Sequence, residues 1–428
     1  MSKKSQHFDV IIIGGGASGM TAGVFAAQQG AKVLILEKNK NLGEKLKITG
    51  GGRCNITNAE YDTRKFLANY GEGAPFLHSA FAQFGIKDTF EFFESNGLPL
   101  VVQERKRAFP ASERALDVFR TLEKLLIKYD VTIYSDTQVT AIEPTKDGQV
   151  HSILTKKGTY TAEKYILATG GQSHPETGST GDGFKWLARL GHSVTSPTPS
   201  IVPLAVADDW VKSLSGVSLS FMRITFYVNG VKSFKKLGKI LFTHFGLSGP
   251  LILNSAKKVE DLLHEGAVTA TIDAYPDTDL GALEDKLIKI FDANKNKMLK
   301  NMFDQVTPEG TSEAILSLCH GIDIDKKVHN ITKEERKQIA SLLKALPLTI
   351  TGLMGFDRAV VADGGVPMTE IDTKTMQSKI VKNLYVTGDL LHINRPSGGY
   401  SLQLCWTTGY VAGVASAKAA KEKINEEM

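Results

Sequence analysis

Short apolar runs, each followed by glycine or polar residues, occur at both ends of the chain. They are FDVIII at 8–13, AKVLILEKN at 31–39, YILA at 165–168 and LYVTGD at 384–389. Continuous apolar runs of this length are typical of parallel strands that are buried on both faces. The pattern therefore predicts an α/β fold whose Rossmann-like sheet is built from both ends of the chain.

The middle of the chain has a different pattern. FMRITFYVNG at 221–230 and AVTATIDAY at 267–275 alternate as antiparallel strands do. Residues 280–345 change to lysine-rich helical segments, and AVVADGGV at 359–366 leads back to the apolar pattern of the ends. The lysine-rich helices fit solvated faces better than an RNA-binding patch.

The first strand leads directly into a G-x-G-x-x-G sequence. Gly14 allows the tight turn, Gly16 lets a pyrophosphate approach the backbone, and Gly19 lets helix and strand pack closely. A helical stretch follows, and Glu37 ends the second strand at the spacing of a carboxylate that binds a ribose. A glycine-rich structural turn is the alternative. Strand, glycines, helix, second strand and acid in this order predict a dinucleotide site, and Glu37 argues against NADP in it.

Two later segments favour FAD over NAD. KYILATGGQSHPETGSTGDG at 164–183 contains an ATG-type strand end and then opens a helix at Asp182, which is either a helix cap or a cofactor ligand. In VTGD, Asp389 ends a strand where FAD enzymes supply a carboxylate, and Gly399 precedes a helix of small residues. No second G-x-G-x-x-G is present, so a nicotinamide that reduces the flavin would dock transiently in the substrate cleft.

Composition narrows the class of protein. The chain has 428 residues, 42% hydrophobic and 23% charged, with a net charge of +5, which suggests two or three globular domains and no nucleic-acid partner. The start of the chain, residues 1–7, lacks the apolar stretch of a signal peptide, and no apolar run has membrane-spanning length. Three widely spaced cysteines indicate neither a disulfide framework nor a metal site, so we expect a cytoplasmic location.

The stretch TGGGRCNITN at 49–58 lies just beyond the second strand. Its glycines predict close backbone approach to the cofactor. Arg53 would pair with the pyrophosphate or with reduced flavin, the alternative being a surface salt bridge. Asn55 would fix the loop. Cys54 is either a flavin-tuning thiol or a small buried side chain.

These motifs together resemble one family. GxGxxG with Glu37, LGEKLKITGGGRCNITN, ATGGQSHPETGSTGDG, ILFTHFGLSGP and VTGD…GGYSLQ…TTGYVAG are similar to the YhiN/BaiN-like flavoproteins, described as NAD(FAD)-utilising dehydrogenases or aminoacetone-oxidase-family FAD enzymes. The resemblance covers essentially the whole chain. LLHINRPS at 390–397 departs from the acidic or glycine-rich stretch of many relatives.

The resemblance implies a split FAD-binding domain with a glutathione-reductase-type sheet, a β-rich inserted domain and a small helical domain. In this chain it places the FAD-binding domain at 1–195 and 353–428 and the β-rich substrate or cap domain at 196–278 and 346–352. The helical domain would cover 279–345. FAD is the implied cofactor, with NAD(P)H as a transient electron donor.

The predicted site residues fall into two groups. Those expected to contact the cofactor are Gly14, Gly16, Ala17, Ser18, Gly19, Glu37, Lys38, Lys45, Thr49, Gly50, Gly51, Arg53, Cys54, Asn55, Val139, Thr169, Gly170, Gly171, Asp182, Gly388, Asp389, Gly399 and Tyr400. The catalytic candidates are His244, which would move a proton unless it is structural, and Arg395; no metal is expected.

The predicted function is that of an FAD-dependent oxidoreductase. It would transfer hydride between a small organic substrate, an amine or an activated alkene or ketone, and oxygen or a nicotinamide. Two other classes stay open: an FAD-dependent tRNA-modifying protein, which would need a contiguous basic surface, and a flavin-based redox sensor without turnover. The sequence leaves the substrate and the oligomeric state open.

Overall fold

The computed structural model describes residues 7–427, so the polar residues 1–6 lie outside the described residues. The chain forms two compact units, one of residues 1–199 and 360–428 and the other of residues 200–359. The predicted domain boundaries differ from these and stay predictions. The α/β class and the inserted β-rich part with helices are confirmed.

The first unit is built on a mostly parallel sheet. Five parallel strands stand in the order β6 (Thr132–Tyr134), β2 (Val33–Leu36), β1 (His7–Ile13), β9 (Gly158–Leu167) and β18 (Leu384–Val386). The antiparallel strands β8 (Val150–Thr155) and β7 (Val139–Pro144) continue the sheet from the first half of β9. All four residues of β2 are buried, as expected of a strand covered on both faces.

Two smaller sheets complete the strands of this unit. One has the order β3 (Thr57–Asn58), β5 (Arg107–Pro110) and β4 (Leu100–Gln103), and the other pairs β10 (Thr195–Ser200) with β17 (Val361–Gly365). The helices of the unit are α1 (Ala17–Gln28), α2 (Glu44–Ile48), α3 (Thr63–Leu67), α4 (Ala74–Gln83), α5 (Ile86–Ser95), α6 (Ala115–Lys128), α7 (Asp182–Arg189) and α14 (Tyr400–Glu427).

Small residues let α1 and α14 pack closely in this unit. A Cβ added at Gly409 would lie 3.1 Å from the Thr21 Cβ, and one added at Gly413 would lie 3.0 Å from the Ala22 Cα. Both distances are shorter than ordinary packing contacts, so larger side chains would push the helices apart. The C-terminal helix is thereby held against the helix that follows the glycine turn.

The second unit contains a closed antiparallel barrel. Its strands follow the order β11 (Leu204–Val206), β14 (Gly246–Ser248), β13 (Val231–Thr243), β12 (Ser218–Val228), β15 (Val268–Asp273) and β16 (Leu346–Leu353). Its helices are α8 (Asp209–Ser213), α9 (Pro250–Leu253), α10 (Ala256–Glu265), α11 (Leu280–Ala293), α12 (Ser312–Leu316) and α13 (Lys333–Lys344). Leu287 of α11 and Leu343 of α13 belong to the same core as Phe226 of the barrel, so barrel and helices share one interior.

Candidate cofactor site

Four parallel strands of the first unit end at the same level. The register pairs Ile13 of β1 with Leu36 of β2 and with Leu167 of β9, and Leu167 with Val386 of β18. The segments that follow these strands are therefore neighbours at the carboxyl edge of the sheet, which is where open α/β sheets bind their ligands.

The glycine turn after β1 is closed toward the sheet and open on its other side. Gly14 has a φ of 104°, and a Cβ there would lie 2.6 Å from the carbonyl oxygen of Ala168. A Cβ at Gly19 would collide with the carbonyl oxygen of Gly14. A Cβ at Gly16 would have no heavy atom of the described chain within 4 Å. Each glycine thus occupies the setting that its predicted role requires.

The N-terminus of α1 opens at this turn. Gly16 is its N-cap, no side chain of the described residues caps the helix there, and its first turn, Ala17 and Ser18 included, holds no acidic residue. The first N–H groups and the positive end of the helix dipole are thus available to an anion. This arrangement fits a pyrophosphate.

Glu37 lies directly after β2 with its carboxylate beside the turn. Its Oε2 accepts from the Gly15 N–H at 2.8 Å, and its Oε1 accepts from the Asn39 N–H at 2.7 Å. Burial raises the pKa of Glu37, although these backbone N–H groups and Lys38 partly offset it. Since each carboxylate oxygen accepts more than one hydrogen bond, Glu37 retains the capacity to bind ribose hydroxyls.

Asp182 is paired within the protein. Its carboxylate forms an ion pair with Lys38 at 3.1 Å and accepts from the Thr180 hydroxyl at 2.7 Å. Gly181 is the N-cap of α7 and Asp182 is the first residue of that helix, so Asp182 does not cap it. The carboxylate instead complements the helix dipole and holds Lys38, and cofactor contact by either residue stays a prediction.

The TGGG segment forms a tight turn with a defined conformation. Gly50, Gly51 and Gly52 all have positive φ, at 59°, 67° and 84°, a region that costs glycine little. The N–H of Cys54 donates to the Thr49 carbonyl at 3.0 Å and closes the turn. Added Cβ atoms at Gly51 and Gly52 would meet no described residue within 4 Å, so this backbone is open to a close approach.

Asn55 fixes this turn to the start of α14. In the amide orientation that matches donors to acceptors, its nitrogen donates to the Ala108 and Thr57 carbonyls and its oxygen accepts from the Gly399 N–H at 3.0 Å. Gly399 has a φ of 102°, and a Cβ there would collide with the backbone of Thr57. The loop-fixing role expected of Asn55 agrees with these bonds, while direct contact with the cofactor stays a prediction.

Arg53 has protein partners. Its Nη2 donates to the Gln103 Oε1 at 2.7 Å and to the Glu113 Oε1 at 2.5 Å, and its guanidinium lies 4.4 Å from the centre of the Phe109 ring. The Arg53 Nε is buried and makes no hydrogen bond to the described residues. The salt bridge expected as the alternative is present, and a contact with FAD stays a prediction.

Asp389 is the centre of a buried charge cluster. It forms an ion pair with Arg395 and lies 3.5 Å from the Lys45 Nζ, which also donates to the Ser173 hydroxyl at 2.5 Å. Burial raises the pKa of Asp389, but the charges of Arg395 and Lys45 outweigh it and hold the pKa below its ordinary range. The cluster joins three segments of the chain at the edge of the sheet: α2, the turn after β9 and the stretch between β18 and α14.

Arg395 is poorly placed to transfer a proton to a substrate. Its side chain is 1% exposed, its Nε donates to the Ser401 hydroxyl at 3.1 Å, and its Nη1 donates to the Ile393 carbonyl at 2.7 Å. With its remaining nitrogen on Asp389, the guanidinium holds the chain in place before α14. The predicted catalytic role of Arg395 stays untested, and these bonds favour a positioning role.

The remaining predicted residues have these places. The turn after β9 contains Thr169, Gly170 and Gly171, and Gly171 lies against Asp389; Gly388 follows β18. Val139 begins β7, two residues after Thr137, whose N–H donates to the Glu37 carbonyl. Tyr400 begins α14, and its ring centre lies 4.9 Å from that of Phe66. His244 belongs to the second unit, where it is exposed between β13 and β14. Its role in catalysis stays a prediction.

The sequence did not predict a buried hydrogen-bonded set of a serine, a histidine and a glutamate. His192 has a side chain with 0% exposure, its Nδ1 lies 2.7 Å from Glu370, and its Nε2 lies 2.9 Å from the Ser378 hydroxyl. That hydroxyl also accepts from the backbone N–H groups of Ile380 and Val381. A buried oxygen that already accepts two hydrogen bonds is no nucleophile. The three side chains therefore hold together the segments of the fold that carry them.

Comparison with known proteins gives the chain its family. Residues 8–415 match the family model described as HI0933-like protein Rossmann domain. The chain belongs to the HI0933-like Rossmann family. This agrees with the YhiN/BaiN-like resemblance of its motifs, which is thereby confirmed.

Three curated relatives match this HI0933-like chain over almost its whole length. It is 30% identical over 410 residues to the 3-dehydro-bile acid delta(4,6)-reductase of Clostridium scindens, covering 95% of this chain and 98% of the relative. It is 29% identical over 418 residues to the ribosomal RNA dihydrouridine synthase of Haemophilus influenzae, covering 97% and 100%. The Escherichia coli protein of the same name is 27% identical over 405 residues, covering 95% of this chain and 97% of the relative.

Solved structures share the fold of this HI0933-like chain. A flavocytochrome c3 fumarate reductase superposes with a TM-score of 0.55 at 15% identity, covering 97% of this chain and 79% of the other. A 3-ketosteroid-delta4-(5alpha)-dehydrogenase from Rhodococcus jostii gives 0.54 at 15% identity, covering 97% and 98%. The chain is thus a member of a flavin-dependent oxidoreductase family with a flavoprotein fold. Among residues 7–427, no helix combines the length and the hydropathy that a membrane crossing needs.

The thiols of this HI0933-like protein are expected to be unreactive in the native state. Burial raises the pKa of Cys54 and of Cys405 to about 12 and that of Cys319 to about 11. At pH 8 the thiolate fraction of each is then about 10⁻³ or less, against roughly a quarter for a free cysteine. Labelling with a thiol reagent, followed by mass spectrometry, should modify no cysteine until guanidinium chloride unfolds the chain. Native labelling of Cys54 as fast as in the unfolded chain would contradict its burial.

Proposed function

We propose that this protein binds FAD along the carboxyl edge of its parallel sheet and reduces a carbon–carbon double bond that is conjugated to a carbonyl group. The observation that carries the proposal is the open side of Gly16 at the uncapped N-terminus of α1. Electrons would enter from NAD(P)H, docked transiently in the substrate cleft, since no second dinucleotide motif is present in the sequence.

The residues at the edge of the sheet fit FAD in order along its length. Glu37 would bind the adenosine ribose, the glycine turn and the first N–H groups of α1 would bind the pyrophosphate, and the turn at Gly399 would border the flavin ring. Bound FAD supplies the hydride transfer, and the protein binds and orients it. The cluster of Asp389, Arg395 and Lys45 would hold the backbone around the ribityl chain.

The names of the similar proteins support the reaction class. A delta(4,6)-reductase of a 3-dehydro-bile acid and a dihydrouridine synthase both remove a double bond by adding hydrogen. In each substrate the double bond is conjugated to a carbonyl group. The double bond therefore accepts hydride at its β-carbon and a proton at its α-carbon. The overall balance is NAD(P)H plus a proton plus the conjugated alkene, giving NAD(P)⁺ and the saturated carbonyl compound.

A uridine of RNA is the second candidate substrate. Two proteins named ribosomal RNA dihydrouridine synthase match almost the whole chain, at 29% and 27% identity. The sequence argued against a nucleic-acid partner because the net charge of +5 is modest. Reduction of uridine and reduction of a small conjugated ketone use the same chemistry, so the two candidates differ in the part of the substrate that the protein binds beside the double bond.

Amine oxidation is the other reaction that the sequence predicted for an FAD-dependent oxidoreductase.

An anaerobic stopped-flow experiment tests the proposed reaction. NADH or NADPH should bleach the flavin of the holoprotein, and a 3-oxo-4,6-diene bile acid or a uridine-containing ribosomal RNA transcript should then restore its colour. Sarcosine or aminoacetone should not bleach the oxidised protein. If an amine bleaches the flavin while neither alkene restores it after nicotinamide reduction, the protein is an amine oxidase and the proposal is wrong.

A further inference from the structure

One face of the sheet of β3, β5 and β4 collects cationic side chains. Arg107 of β5 stands opposite Gln103 on one neighbouring strand and opposite Asn58 on the other, so these three side chains share a face. Phe109, two residues further along β5, lies on the same face, and the Arg53 guanidinium lies over its ring at 4.4 Å. Arg107 and Arg53 are thereby brought to one surface from positions 54 residues apart.

The positive charge on this face is incompletely neutralised. Arg53 is paired with Glu113, but neither Arg107 nor Arg105 makes a side-chain hydrogen bond or a salt bridge to any residue from 7 to 427. Burial lowers the pKa of Arg107, and the nearby charges of Arg105 and Arg53 lower it further, while Glu104 acts in the opposite sense. A half-buried guanidinium without a hydrogen-bonding partner is expensive unless something else binds it.

Backbone strain is concentrated in the same cluster. Arg105 and Lys106 both have positive φ, at 58° and 57°, and so do Glu113 at 52° and Cys54 at 59°. Consecutive non-glycine residues in the left-handed region are disfavoured, because the Cβ crowds the following carbonyl oxygen. Such strain persists where the surrounding structure fixes it, and it is commonly found at ligand-binding sites. Here it fixes the direction in which the side chains leave the loop.

This cationic face borders the predicted position of the flavin. The Asn58 Nδ2 donates to the Arg105 carbonyl at 3.1 Å and to the Gly398 carbonyl at 3.3 Å. Gly398 precedes Gly399 and α14, the turn expected to border the flavin ring. The Asn58 side chain thus joins the loop that carries Arg105 to the turn at Gly398 and Gly399. A group held by Arg107 would lie beside the place where a substrate must sit to receive hydride.

We infer that Arg107, assisted by Arg105 and Arg53, binds an oxyanion of the substrate, either a carboxylate or a phosphate, beside the flavin. A guanidinium presents parallel N–H donors that match both groups in a bidentate geometry. Exposed Val101 lies on the same face, opposite Phe109, and offers an apolar edge for the rest of the ligand. That the ligand is a substrate rests on the proposed function. The anion site itself can be tested without turnover.

The direct test uses sulfate as the probe and the FAD-loaded protein, so that the pyrophosphate site is already filled. The melting temperature is measured against sulfate concentration at constant ionic strength set by chloride, for the wild type and for Arg107→Gln, Arg107→Lys and Arg189→Gln. Arg189 is exposed at the end of α7 and serves as the matched control. Sulfate also stabilises proteins without binding, so only the difference between variants counts.

In the wild type and in Arg189→Gln, the melting temperature should rise with sulfate concentration and reach a plateau, with half-saturation at millimolar sulfate. Arg107→Gln should lose the saturable part, and Arg107→Lys should bind at least tenfold more weakly. Equal sulfate responses in wild type, Arg107→Gln and Arg189→Gln overturn the inference. If Arg107→Gln does not fold, Arg105→Gln replaces it: a half-saturation raised at least threefold supports the site, and an unchanged curve overturns it.

Matched charged and neutral ligands identify the source of the oxyanion. A 3-oxo-4,6-diene bile acid is compared with its methyl ester, and a short uridine oligonucleotide with its neutral methylphosphonate analogue, by perturbation of the oxidised flavin spectrum. In one pair the charged ligand should bind at least tenfold more tightly to the wild type, and Arg107→Gln should abolish that preference. Absence of any charge preference in the wild type contradicts a substrate subsite. Failure of the alkenes to restore flavin colour contradicts the proposed function alone, because the sulfate response does not depend on it.

Discussion

Replacing Gly16 by aspartate is expected to abolish FAD binding while the apoprotein stays folded. Gly16 has a φ of –80° and is the N-cap of α1, and a Cβ there meets no described atom within 4 Å. Aspartate is a favoured N-cap residue and only slightly better than glycine there, so the free energy of unfolding of the apoprotein should be unchanged or higher by roughly a few tenths of a kcal/mol. The same carboxylate would face the pyrophosphate. A like charge at about 4 Å costs roughly 4 kcal/mol at an effective dielectric constant near 20, or about 10³-fold in affinity.

The measurement is the dissociation constant of FAD, followed by flavin fluorescence, together with urea unfolding of the apoprotein. Gly16→Ala is the matched control because it adds the Cβ without the charge, and it should weaken FAD binding far less than Gly16→Asp does. Retention of wild-type FAD affinity by the aspartate variant would place the pyrophosphate elsewhere. Loss of the apoprotein fold would show that the space at Gly16 is needed for folding instead.

Replacing Arg395 by glutamine is expected to cost about 3 kcal/mol of the free energy of unfolding at pH 7. The change leaves the Asp389 carboxylate buried with only Lys45 nearby, at 3.5 Å. Since removal of one partner of a buried ion pair leaves an uncompensated charge, the loss should exceed that of a surface pair. The double variant Asp389→Asn/Arg395→Gln should recover part of the loss, and urea unfolding of the two single variants and the double variant measures it.

The same substitution changes the pH dependence of stability. In the wild type the folded pKa of Asp389 lies below that of an ordinary aspartate. Its ion pairs therefore stabilise the fold fully above the ordinary aspartate pKa, and this stabilisation is lost as the pH falls through the folded pKa. Without Arg395, burial is less well offset and the pKa rises, so Arg395→Gln should lose stability at a higher pH than the wild type. Parallel curves of unfolding free energy against pH for the two proteins would contradict this account.

Much of the dinucleotide unit could be predicted from the sequence because its signals are local. The apolar run of β1, the spacing of Gly14, Gly16 and Gly19 and the carboxylate of Glu37 all fall within 37 residues. Each glycine responds to a steric condition set by its immediate neighbours, so its position alone indicates its use. The inserted β-rich part was predictable for the same reason, since period-two alternation belongs to each strand by itself.

Side-chain partners could not be predicted because they join distant parts of the chain. Lys38 pairs with Asp182 across 144 residues, and Lys45 pairs with Asp389 across 344. The run QERKR at 103–107 gave no prediction, since its meaning depends on the register of β5, which brings Arg107 beside Asn58 and on the face where Arg53 lies. His192, Glu370 and Ser378 likewise meet only in the folded chain.

The visible spectrum of the purified protein after reconstitution with FAD shows whether this chain binds the cofactor. We expect the two absorption bands of an oxidised flavin at one FAD per chain, retained through gel filtration in the wild type and lost in Gly16→Asp. A folded wild-type protein that stays colourless after incubation with excess FAD would contradict it.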